Sequence, residues 1–363
     1  MSKLAEMLSV PQNKQPPARS GYIIGPVSDV LLIIGAPLVV MLISIPLFAI
    51  PKSACMWLVM GQKQDIRNLF SVVFIEAHLV LVFFRSHGNV NIFRAYPFRF
   101  TVIPLVLFAS VDYSPYLFGI VGLVAVWWDV YHSSLQTFGF GRIYDAKQKN
   151  SPTAGRRLDY WMNLILYTGP VLAGAHFVEH LQTSQSNLNV FAVSPSFFGD
   201  LLYRQGHEFL SEHQIYITVS ILTIGIPFLM YYLYSYFRLQ QQGYRVSWQK
   251  VWLYVITGGV SIYVWGFHSF INAFWVMNFF HALQYFAIVL FTEHQNLSRL
   301  FRVDRFPFSS AIAGFWVVVL CLLYGFWGQH LANSHWMASL VMTTSIMHFW
   351  YDGFIWSVKK QQV

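Results

Sequence analysis

Charge is scarce in this chain. Only 10% of its 363 residues are Asp, Glu, Lys or Arg, against about 25% in a soluble domain, which excludes an ordinary water-facing globular surface. Cysteine is scarcer still. Cys55 and Cys321 stand far apart with no C-x-x-C spacing, so neither a disulfide framework nor a thiolate metal site is indicated. No Walker sequence and no strand-flanked G-x-G-x-x-G occurs, which removes the usual phosphate-binding loops. What the chain has instead is apolar bulk, with 56% hydrophobic and 18% aromatic residues and a mean hydropathy of +0.48. It reads as a membrane protein. The formal charge of +8 is therefore no sign of nucleic acid, because lysine and arginine mark the cytoplasmic side of a membrane protein.

At ~20 apolar residues per crossing, the sequence predicts an all-helical polytopic bundle of about ten spans. They lie near 27–50, 67–85, 98–112, 116–138, 160–180, 214–237, 250–268, 271–292, 309–328 and 336–357. The third is short, and Asp112-Tyr113-Ser114-Pro115 turns it into the fourth, as in a re-entrant or tilted segment. Residues 1–26 read as a mobile cytoplasmic tail, 27–357 as one transmembrane domain with a long outer segment at 181–212, and 358–363 as a second cytoplasmic tail. Charge gives an independent check. With the N-terminus inside, the inner loops collect, among others, Arg85, Arg94, Arg99, Arg142, Arg156, Arg157, Arg238 and Arg245, while the outer ones hold only Lys52, Lys63, Arg67 and Arg204. Both termini are then cytoplasmic. Short inner loops and no targeting signal point to a bacterial inner membrane.

This topology sorts the thirteen histidines. His78, His132, His281 and His348 fall on four spans that all run from outside to inside, at similar depth, so they can meet. Their neighbours are polar. Asp129, His132 and Gln136 share one helical face at about 100° per residue; Asn278, His281 and Gln284 share another; His348 and Asp352 are four apart. Glu76 and His78 are about 200° apart on their helix, so only one of them can face a common site. Histidine beside carboxylate at such spacing is how helix bundles hold iron, the acid serving as ligand or as the acceptor that fixes the imidazole. The candidate ligands are His78, His132, His281 and His348. Asp129, Asp352 and Glu76 are the candidate catalytic or orienting acids, and Gln136, Asn278, Gln284, Trp128 and Tyr351 the candidate substrate contacts.

Other readings suit the same residues. Intramembrane histidines also serve as hydrogen-bonding groups between helices, buried carboxylates as proton relays in a transporter, and paired histidines as axial ligands of haem. An outer group, His176 and His180 at H-x-x-x-H spacing with His207, His213, His268, His330 and His335, is a second metal candidate. The inner ends of the second and eighth spans, Phe84 to Asn89 and Phe291 to Asn296, are alike, which suggests a parallel duplication.

Three motifs carry a resemblance: Tyr131-His132 through Gln136 to Gly139-Phe140-Gly141-Arg142-Ile143-Tyr144-Asp145, then His281-Ala282-Leu283-Gln284-Tyr285, and finally His348-Phe349-Trp350-Tyr351-Asp352-Gly353-Phe354-Ile355-Trp356. They resemble uncharacterised bacterial multi-span proteins and, more distantly, the Brp/Blh type of carotene-cleaving oxygenase. That resemblance implies iron held by histidines from several spans, with His78, His132, His281 and His348 as the ligands. The expectation is a membrane-embedded oxygenase or oxidoreductase with non-haem iron, acting on a lipid-like or polyene molecule. Its partners would be membrane lipids, a hydrophobic substrate and an electron donor.

Overall fold

A computed structural model describes residues 21–174, 206–331 and 333–356. The structure is 83% helical with almost no sheet. A short helix α1 (Pro26–Asp29) runs through a π turn (Val30–Ile34) into α2 (Ala36–Ala49), and the hairpin β1 (Met56–Val59) and β2 (Gln62–Asp65) follows. Then come α3 (Ile66–Ser86), α4 (Val90–Ala95), α5 (Pro97–Tyr113), α6 (Pro115–Lys147), α7 (Arg156–Ala173) and α8 (Gly206–Gln241). The chain continues through α9 (Trp248–Phe267), α10 (Phe270–Thr292), α11 (His294–Leu300), α12 (Ser309–His330) and α13 (His335–Ile355).

Helix thus occupies each of the ten apolar stretches, as far as they are described. Among the described residues four helices, α3, α8, α10 and α12, are long and apolar enough to cross a membrane, and the number rises to six if α1/α2 and α5/α6 each count as one bent span. The difference from ten has a physical source. Polar residues that face inward, such as Ser339, Thr343, Thr344 and His348 of α13, dilute the apolar character that marks a crossing. The α5/α6 pair bends by 116° at Ser114, whose hydroxyl accepts from the Leu117 amide at 3.4 Å just ahead of Pro115, a favoured first helical residue.

Local chemistry fixes the breaks. The π turn closes with the Gly35 amide on the Val30 carbonyl at 2.9 Å, and the first pair bends by 56° there. A side chain at Gly35 would run into that carbonyl, so only glycine fits. Buried Asp29 gathers the amides of Ile23 at 2.6 Å and Ile24 at 2.8 Å and the Tyr144 hydroxyl at 2.8 Å, tying the start of α1 to α6. The hairpin turns on Met60 (φ 47°) and Gly61 (φ 82°), the pair of left-handed residues that a tight hairpin demands.

Packing brings four helices around one centre. On α12, Gly325 lets the α3 backbone approach until a side chain there would meet the Val73 carbonyl, the small-residue contact of membrane helices. α10 and α13 lie against other sides of α3, and α6 packs on α13. By contrast α8 exposes Ile215, Val219, Leu222, Ile226 and Leu233, and no part of its apolar window is buried. The glycine-containing stretch Gly139 to Arg142 lies inside α6, which continues to Lys147. Gly141 sits where a side chain would strike the Tyr254 ring of α9, so it is a packing glycine rather than a helix stop.

Candidate metal centre

The structure brings His78 of α3, His132 of α6, His281 of α10 and His348 of α13 into one cluster. Ring centroids are 5.2 Å apart for His78 and His281, 4.9 Å for His78 and His348, 4.9 Å for His132 and His281, and 4.8 Å for His132 and His348. All four are buried, His132 at 3% exposure and the others at 0%. Nε2 of His348 is 3.2 Å from Nε2 of His132. One ligand atom each from His78, His281 and His348 lie within 4.8 Å of one another, as do those of His132, His348 and Asp352. Nitrogens sharing one ion at about 2.1 Å stand at most about 4.2 Å apart. Closing the difference needs only small side-chain shifts.

The hydrogen-bond inventory bears on what fits this cluster. His78 Nδ1 meets the Ile75 carbonyl, which leaves Nε2 turned inward. That atom, both ring nitrogens of His281 and Nδ1 of His348 have no hydrogen-bond partner. Buried polar atoms are nearly always satisfied, and each orphan costs roughly 1–3 kcal/mol. Imidazole nitrogens from three helices, left unpartnered in one buried cluster, are donors of the kind that a borderline transition metal takes. The donor set therefore fits a metal.

Asp352 belongs to the same cluster. Its Oδ2 lies 3.7 Å from His132 Nε2 and 3.9 Å from His348 Nε2. Its Oδ1 accepts from the Tyr285 hydroxyl at 2.8 Å and the Trp356 indole at 3.0 Å. Tyr285 also packs on His348 with centroids 4.7 Å apart. Behind Trp356 stands Arg85, 3.6 Å over the indole, which pairs with Glu293 and donates to the Ile355 carbonyl at 3.1 Å. Glu293 also accepts from Asn89 at 3.0 Å and Asn296 at 2.6 Å. The two similar sequence ends thus meet each other beneath the site.

Other residues singled out in the sequence take different places. Asp129 is buried and paired with Asn278, outside the two groups of converging ligand atoms. Of Glu76 and His78, it is His78 that joins the cluster. The Glu76 carboxylate lies against Gly328 of α12, around the helix from His78, with one oxygen lacking a partner. Gln136 and Gln284 brace the bundle: the Gln136 amide donates to the His281 carbonyl at 3.1 Å and to Gln284 at 2.9 Å, while Gln284 donates to the Ile33 carbonyl freed by the π turn at 2.7 Å. Trp128 packs on Phe349, which lies 5.0 Å from the His132 ring. Tyr351 turns away, donating to the Arg99 carbonyl at 3.2 Å.

His87 and His294 do not extend the cluster. His87 sits among Phe83, Phe93, Phe100 and Tyr351, where burial pushes its pKa down. His294 contacts the Phe291 carbonyl at 2.7 Å. In the outer group, His176 and His180 lie outside the described residues. His213 and His335 meet backbone carbonyls, each at 2.7 Å, and among the described residues no metal-like group includes them. Sequence reasoning missed Tyr285, Trp356, Arg85 and Glu293 as parts of the site. The one available signal was position, since Tyr285 and Trp356 fall four residues after His281 and Asp352, one turn along the same face.

No protein-family model, no curated protein and no solved structure matches this chain.

Proposed function

We propose that this chain is an integral membrane protein of about ten spans, with both termini cytoplasmic, in a bacterial inner membrane. In this reading His78, His132, His281 and His348 hold a non-haem iron, with Asp352 as a further ligand or the group that orients His132 and His348. The observation that carries it is the convergence of imidazoles from four helices, three of which carry ring nitrogens with no hydrogen-bond partner. Histidines kept only for helix association would have those nitrogens paired, and His281 has neither of its two satisfied. The rings also stack edge to face on each other, which leaves no flat slot between them and favours a bare ion over haem.

Bound iron supplies redox and oxygen chemistry, so the activity proposed is that of an oxygenase or related oxidoreductase. The chain's own residues do the rest. Phe349 and Trp128 give the His132 side an apolar, aromatic wall suited to a lipid-like or polyene substrate. Tyr285 and Trp356 hold Asp352 in place, and Arg85 with Glu293 anchors Trp356. The surrounding apolar core keeps water out. Electrons would come from a separate donor.

The test is metal analysis with an optical spectrum on protein expressed in iron-rich medium, comparing wild type with His281→Ala and the milder His281→Gln. Stoichiometric iron in the wild type, lost in both variants at unchanged folding, is the expected result. A Soret band would transfer the reading to haem. Absence of metal throughout would leave Asp129, Asp352 and Glu76 as a polar pathway, and pH-gradient-dependent transport would then take the place of oxidation.

A further inference from the structure

A cavity of about 1000 Å³ opens where α7 begins and α8 ends, lined by Arg156, Arg157, Arg238, Tyr160, Tyr231 and Tyr234 among others. No acidic residue lines it among the described residues. The side chains of the three arginines make no hydrogen bond or ion pair among the described residues, and all three are exposed.

The nearest acids are committed elsewhere. Asp159 accepts from Tyr232 at 2.9 Å and Tyr236 at 2.6 Å through Oδ1, and from Arg142 at 2.8 Å and Lys250 at 3.2 Å through Oδ2. Asp145 takes Arg142 at 2.7 Å and Lys250 at 2.9 Å, and also Tyr244. That buried network sets two carboxylates against two cations and is closed. Among the described residues the three arginines of the cavity therefore have no carboxylate partner.

The setting identifies the ligand. The apolar run of α8, from Phe209 to Gln241, has a membrane-crossing length; one side packs on α7 and the others expose Ile215, Val219, Leu222, Ile226 and Leu233, so acyl chains would lie along that outer surface. The cavity sits at its C-terminal end, where Tyr231 and Tyr234 supply the aromatic ring-and-hydroxyl character of the interfacial belt. Guanidinium groups at headgroup level between spans are the arrangement that takes a phosphodiester. We propose that this cavity binds the headgroup of an anionic phospholipid, with Arg156, Arg157 and Arg238 on its phosphate and Tyr231 and Tyr234 along its glycerol and upper acyl chains. The inference rests on α8 crossing the membrane and is independent of the histidine cluster.

The full chain, purified in mild detergent, is loaded with phosphatidylglycerol or phosphatidylcholine, and retained lipid is counted by native mass spectrometry. Retention of phosphatidylglycerol about tenfold above phosphatidylcholine is expected. The combined Arg156→Gln, Arg157→Gln and Arg238→Gln variant should lose it, Arg238→Gln should lose part of it, and the control Arg305→Gln should keep it. Equal loss in Arg305→Gln would mean only diffuse attraction to positive charge and would overturn the proposal. So would full retention in the triple variant. Calorimetry with inorganic phosphate separates the sources. Binding of phosphate as tight as that of the lipid would replace the lipid with a soluble phosphate ligand.

Discussion

The Tyr285 hydroxyl holds Oδ1 of Asp352 at 2.8 Å and leaves Oδ2 turned toward His132 and His348. Removing that hydroxyl frees the carboxylate to rotate away, while a phenylalanine ring would keep the packing on His348. For Tyr285→Phe the expected outcome is a fall in iron affinity of about ten- to a hundredfold, as is usual when a group behind a ligand is lost. Stability should change by only about 1 kcal/mol. Competition with a chelator measures the first and thermal unfolding the second. Unchanged affinity would remove Asp352 from the site. At this scale the sequence was informative where chemistry is rare. Four histidines at matched depth stand out in an apolar chain, whereas Tyr285 is one of 20 tyrosines and carries no mark of its partner. The choice between Glu76 and His78 needed packing, because the closeness of Gly328 to Glu76 is a property of two helices and of neither alone.

Helix α3 carries His78, and its start is set by one residue. Asp65 caps it by accepting from the Arg67 amide at 3.0 Å, and it also holds the Arg67 guanidinium at 2.9 Å and 2.7 Å. The guanidinium in turn reaches the Leu47 and Ile50 carbonyls at 3.1 Å and 2.7 Å, which fastens α2 to α3. The hydrogen bonds that the Arg67 guanidinium donates, helped by its charge, hold the Asp65 carboxyl below its ordinary value of 3.8. A carboxyl whose folded pKa is depressed stabilises the fold above its unfolded value and loses that contribution as pH falls through the folded one. Wild type should therefore melt higher than Asp65→Asn at neutral pH, and the gap should narrow once the pH drops below about 3.8. A gap that stays constant with pH would mean the ion pair contributes nothing. Elements were legible wherever apolar length alone decides, as in α3, α8, α10 and α12. They were not where tertiary contact overrides propensity: Gly141 inside α6 and the π turn at Gly35 both depend on what lies against them.

Across the whole molecule, charge and depth give linked statements about orientation. The closed network of Arg142, Asp145, Asp159 and Lys250 joins α6, α7 and α9 at the end that the positive-inside rule assigns to the cytoplasm. The Asp65–Arg67 pair marks the other end of the bundle. If the ten-span reading holds, Lys52 and Asn333 lie outside while Asn150 and Asp304 lie inside. The three pairs that separate them in sequence then enclose different numbers of crossings. Cysteine placed singly at these four positions, in a chain carrying Cys55→Ser and Cys321→Ser, can be labelled with a membrane-impermeant maleimide. Lys52→Cys and Asn333→Cys should react in spheroplasts. Asn150→Cys and Asp304→Cys should react only in inside-out vesicles. Reaction of Asn333→Cys and Asp304→Cys from the same side would mean that α12, with Gly325 and Gly328 pressed on α3, does not cross. Because α3 packs on α12 along that face and carries His78, such a result would also take the four-histidine centre out of the membrane interior.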